Sequence, residues 1–94
     1  MQTLILQGKR TFTLYYKRYD SNFILLLAIT REPVSVCFEI RVNPQTDQIF
    51  ISQLFYQAYP LSYQLLKETV SNNQNLFHQF IWTIKKNISF DYGF

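Results

Sequence analysis

Between residues 34 and 42 the side chains alternate without interruption: Val34, Val36, Phe38, Ile40 and Val42 are large and apolar, while Ser35, Cys37, Glu39 and Arg41 separate them. A period of two fits a pleated strand with one buried face and does not fit a helix. The chain must therefore build a sheet and find a layer to cover one side of it.

The neighbouring segments supply the rest of that sheet. Thr3 to Gln7 is a β-prone run ended by Gly8-Lys9-Arg10, which reads as a tight turn. Thr11 to Tyr19 alternates, with Phe12, Leu14 and Tyr16 on one face and Thr11, Thr13, Tyr15, Lys17 and Tyr19 on the other. Turn formers follow at Asp20-Ser21-Asn22, and Phe23 to Thr30 is continuously apolar, which predicts a central strand covered on both faces. The Asn43 to Asp47 cluster is a turn, and Gln48 to Phe55 reads as one more strand. Short turns between consecutive strands imply an antiparallel meander.

After Tyr59-Pro60 the period changes. Proline is favoured at the first helical position, and Leu61, Leu65, Leu66 and Val70 then recur at helical spacing. Ser71-Asn72-Asn73 breaks this helix, and Leu76, Phe77, Phe80, Ile81 and Ile84 form the apolar stripe of a second, with Lys85 and Lys86 in its last turn and Asn87 as its end. Ile88, Phe90, Tyr92 and Phe94 alternate again, which reads as a short final strand on a sheet edge of this molecule or a neighbour. The expected architecture is α+β: a meander of about five strands, then two C-terminal helices packed on one sheet face. A chain of 94 residues closes one core, so residues 1–94 are expected to form a single domain, mainly β over 1–56, helical over 60–87, with 88–94 as a tail.

Composition narrows the function classes. Nine Phe, seven Tyr and one Trp exclude a disordered chain, and 16% charged residues is low for a soluble domain. One cysteine and one histidine fall short of a disulfide framework or a structural zinc set. No apolar run is long enough to cross a bilayer, and no leader pattern is visible, so a cytoplasmic location is expected and the Asn87-Ile-Ser89 sequon is read as accidental. Cys37 with His78 is the sole nucleophile and base combination, no two of the six acids share a spacing suited to paired carboxylates, and no glycine-rich phosphate loop is present. No enzyme activity, cofactor or metal is expected.

Two binding classes follow. The first is a non-catalytic protein interaction or assembly module, docking a protein partner or a second copy of itself through Tyr15, Tyr19, Tyr56, Tyr59, Tyr92 and Phe94, since Tyr and Phe give large contact area at modest entropy cost. The alternative is single-stranded nucleic-acid binding. The net charge of +3 resides in residues 1–22, where Lys9, Arg10, Lys17 and Arg18 stand against Asp20. With Tyr15 and Tyr19 these bases form a basic and aromatic stripe of the kind that stacks bases and neutralises phosphates.

Overall fold

The computed structural model describes residues 2–20, 22–31 and 34–92, with side chains described as far as residue 88. Its core is a five-stranded antiparallel sheet in sequence order: β1 (Thr3–Gln7), β2 (Thr11–Asp20), β3 (Phe23–Thr30), β4 (Val36–Val42) and β5 (Ile49–Ile51). Three helices follow: α1 (Gln53–Ala58), α2 (Pro60–Asn72) and α3 (Gln74–Tyr92). The α+β meander is as the alternation predicts.

The turns use residues suited to them. Asn22 before β3 and Asp47 before β5 take positive φ, 69° and 60°, a region that Asn and Asp tolerate better than other side chains. In the β4–β5 connection the Asn43 side chain accepts the Gln45 N–H at 2.8 Å, and the Asp47 N–H donates to the Asn43 carbonyl at 2.7 Å. Gly8 brings the β1–β2 hairpin against α2, where a Cβ would lie 2.6 Å from Thr69 Oγ1.

The helices cover the face formed by Leu6, Phe12, Leu14, Ile24, Leu26, Ala28, Phe38 and Ile40, and contribute Leu66, Val70, Phe77, Phe80, Ile81, Ile84 and Ile88 to the same core. Burial of these side chains is the main stabilising term, at roughly 1.5–3 kcal/mol for each large apolar group.

Several expectations are corrected. β4 starts at Val36, and Val34 is exposed. The strand expected over Gln48–Phe55 is Ile49–Ile51 alone, because Ser52 accepts the Leu54 N–H at 3.2 Å and starts α1, making three helices where two were expected. Leu61 and Leu76, assigned to the apolar stripes, are exposed. The expected final strand is instead the end of α3, which runs to Tyr92: Ile88 is buried four residues after Ile84, so the helical stripe continues past Asn87. Phe94 lies outside the described residues. β3 is covered by helices on one face only; on the other Leu25 is buried as expected, while Leu27 and Ile29 are half-buried.

Candidate functional site

The register places four rows of side chains on the face away from the helices. Ile5, Thr13, Ile29 and Cys37 form one row, and Thr3, Tyr15, Leu27 and Glu39 the next. Arg18, Leu25, Arg41 and Phe50 form the third, and Asp20 pairs with Phe23 in the last. No helix lies over this face among the described residues. Ile5 is 58% and Phe50 46% exposed, and the Phe50 ring meets the edge of Phe23 at 5.9 Å.

A β-bulge decides which groups reach this face. The β2–β3 register shifts between Tyr16 and Arg18, so Lys17 is the extra residue and the alternation changes phase there. Arg18 lands opposite Leu25 on the open face. Tyr19 pairs with Ile24 and packs against the core on the helical side, not beside Tyr15 as strict alternation predicts. The expected stripe of Tyr15, Lys17 and Tyr19 is thereby broken.

The charges on the open face are largely matched. Lys17 Nζ donates to Glu39 Oε2 at 3.0 Å, Arg41 lies 3.8 Å from Glu39 Oε1, and Arg18 lies 3.5 Å from Asp20. The hydrogen bond from Lys17 holds the Glu39 carboxyl below its usual range, assisted by the charges of Lys17, Arg41 and Arg18 and opposed by burial. The result is two apolar patches, Leu27 with Ile29 in the first two rows and Phe23 with Phe50 at the other end, with Leu25 buried between them in the row that carries Arg18 and Arg41.

At one end the face opens into a cleft of about 420 Å³ that includes Lys9, Arg10, Arg31, Thr11 and Thr13 in its lining. Arg10 is anchored there, donating to Ser62 Oγ of α2 at 2.5 Å.

The other residues singled out by sequence lie elsewhere. Tyr56 and Tyr59 are exposed on the helical layer, and the Tyr56 ring meets Tyr63 at 5.2 Å. Tyr59 joins α1 to α2, its N–H donating to the Phe55 carbonyl at 2.8 Å and its carbonyl accepting from Tyr63 at 2.9 Å. Tyr92 is the last residue of α3. The predicted aromatic contacts therefore do not form one patch. Ile5, Phe23, Leu27, Ile29 and Phe50 were not singled out by sequence, and strand pairing is what places them on the face opposite the core.

Cys37 is on the open face, whereas His78 belongs to α3 and its Nδ1 lies 3.1 Å from Asp47 Oδ2, so the thiol and imidazole do not meet. Among the described residues no group of three or more His, Cys, Asp or Glu is placed to hold a metal ion, and no helix is long and apolar enough to cross a membrane. No protein-family model, curated protein or solved structure matches the chain.

Proposed function

We propose that this protein is a non-catalytic interaction module that docks a protein partner on the open face of its sheet. The observation that supports this reading is the pair of apolar patches on that face, Leu27 with Ile29 and Phe23 with Phe50, beside the Lys17–Glu39–Arg41 pairs and with no helix over them among the described residues. Exposed apolar clusters of this kind, bordered by polar groups, mark contact surfaces. Matched charges favour a partner of mixed surface charge over a polyanion, because pairing leaves three cations against two carboxylates on the face.

Affinity capture with the whole chain and with Phe50→Glu and Ile29→Glu tests this reading. Both substitutions lie outside the core cluster. A protein held by the native chain and lost with both variants, each shown folded by circular dichroism, is the expected result. An identical set of proteins on all three baits defeats the proposal.

The cleft bearing Lys9, Arg10 and Arg31 supports a second reading, single-stranded nucleic-acid binding at that end of the sheet. Its signature is affinity that falls steeply as salt rises and weakens when Lys9 and Arg31 are changed to Ala. Failure to bind RNA or DNA oligonucleotides at low salt removes it.

A further inference from the structure

β1 is the first edge of the sheet, and its outward hydrogen-bonding groups can be assigned. The Tyr16 N–H donates to the Gln2 carbonyl at 3.1 Å, so the even-numbered residues of this segment point their backbone groups at β2. The odd-numbered ones point away. The Gln7 carbonyl agrees, accepting Asn73 Nδ2 from outside the ladder at 3.3 Å. Thr3 and Ile5 therefore each present an N–H and a carbonyl to the free edge.

Natural sheets guard such an edge with lysine, proline or a bulge. The Thr-Leu-Ile-Leu-Gln sequence of β1 has no charge and no proline, and its pairing with β2 runs in unbroken register. Below it, on the helical side, α3 sets a cleft of about 290 Å³ in which Leu4, Leu76, Phe80 and Trp82 supply the apolar wall. Leu76 is 48% and Trp82 56% exposed, although both lie next to core residues of the same helix. Lys86 Nζ sits 4.5 Å from the centre of the Trp82 ring at the rim. Free backbone groups beside an uncharged apolar shelf make a site for an added strand.

We propose that the added strand is β1 of a second copy, paired antiparallel across a two-fold axis at Leu4, so that the two sheets become one. In this register Thr3 faces the partner's Ile5, and each of these pairs exchanges both of its hydrogen bonds. Leu4 meets the partner's Leu4 in the closer, non-hydrogen-bonded position over the shelf. Gln7, whose carbonyl already serves Asn73, is not needed.

The edge and its shelf fit a strand that carries no charge and turns an apolar side chain to the shelf, and β1 of a second copy, with Leu4, meets both requirements without bringing the basic ends together. The chain carries +3, with Lys9 and Arg10 at the β1–β2 turn, so most approaches of one copy to another at its basic end are repulsive. Pairing about Leu4 sends the two turns in opposite directions, roughly 30 Å apart at about 3.3 Å per residue. That exceeds the screening length in physiological salt, and the paired strands themselves carry no charge. The pairing uses the backbone edge and the shelf on the helical side, while the side chains of Thr3 and Ile5 stay on the open face, so the test of the pairing reads self-association and not a partner docked at Phe50.

Mass in solution, read by light scattering over a concentration series, tests the pairing. The native chain is expected at twice 11.3 kDa. Ile5→Pro deletes an outward N–H without removing a bond to β2, and is expected to give a monomer with unchanged circular dichroism. Trp82→Ala is expected to weaken the dimer by about ten-fold or more. Amide exchange needs no variant: protection at Thr3 and Ile5 should rise with concentration while that at Leu27 does not. A native monomer at every concentration overturns the proposal, leaving the edge to a foreign strand. So does a dimer that survives Ile5→Pro, or one in which the Thr3 and Ile5 amides exchange freely.

Discussion

The two faces of the sheet come from the same strands, yet they treat large apolar side chains in opposite ways. On the helical face Phe12, Leu14, Phe38 and Ile40 have no exposed surface and interlock with α2 and α3. On the other face Ile5 and Phe50 stand in solvent and Leu27 and Ile29 are half-buried, while Leu25, in the row of Arg18 and Arg41, is buried without a helix over it among the described residues. Hydrophobicity along a strand thus does not tell what a residue is for. A phenylalanine under a helix specifies the fold; a phenylalanine on the open face contributes less to it, and it is that difference on which the proposed docking surface rests.

The comparison is sharpest when the same substitution is made on each side. Phe38→Ala removes a fully buried ring that also meets Phe55 of α1 at 5.3 Å, and should cost about 3–5 kcal/mol. Phe50→Ala removes a half-exposed ring with one aromatic neighbour, and should cost about 1 kcal/mol. Urea unfolding of the two variants measures the difference. Equal losses would mean that the open face is part of the folding core and would undercut its assignment as a docking surface. Gly8→Ala is expected to fall between the two, at about 1–3 kcal/mol. Its new methyl would press on Thr69 Oγ1, which is fixed by a hydrogen bond to the Leu65 carbonyl at 2.6 Å. A loss near zero would show that the hairpin can lift from α2 without cost.

Much of the covered face was legible from the chain. The alternation from Val36 to Val42, the even-numbered residues of β2 as far as Tyr16 and the stripe Phe77, Phe80, Ile81 and Ile84 all lie in the core. Each is a local pattern, read from residues close in sequence. The open face was less legible, because membership depends on pairing. A single extra residue at Lys17 sends Tyr19 to the helical side and Arg18 to the open one, and nothing in the Tyr-Tyr-Lys-Arg-Tyr sequence marks where a bulge will fall. Phe50 lay within a run expected to be one long strand, and its role followed once Ser52 capped α1 and cut that strand short. The tail misled for a related reason. Ile88, Phe90 and Tyr92 keep a period of two, but Ile88 also continues the helical stripe from Ile84, and packing against the existing core decided between the two patterns.

The smallest expected effect concerns the charges that accompany the open face. Glu39 has its carboxyl held low chiefly by the hydrogen bond from Lys17, so the folded state binds that proton less readily than the unfolded chain. The stability this supplies is fully present above the carboxyl's ordinary pKa and is lost as the pH falls through the depressed folded value. Both side chains are about one-third exposed, at 35% and 34%, so solvent screens the pair and its worth is of the order of 0.2–1 kcal/mol. Lys17→Ala should therefore lower the urea midpoint slightly at neutral pH, raise the Glu39 pKa in a carboxyl NMR titration, and leave stability unchanged in strongly acid solution, where Glu39 is protonated in both proteins. Added salt should shrink the neutral-pH difference. A loss that persists unchanged at acid pH would place the role of Lys17 in the packing of its stem on the sheet rather than in its charge. In that case the open face would owe part of its order to β2 packing, and the division between a face that folds the protein and a face free to bind would be less clean than the burial pattern draws it.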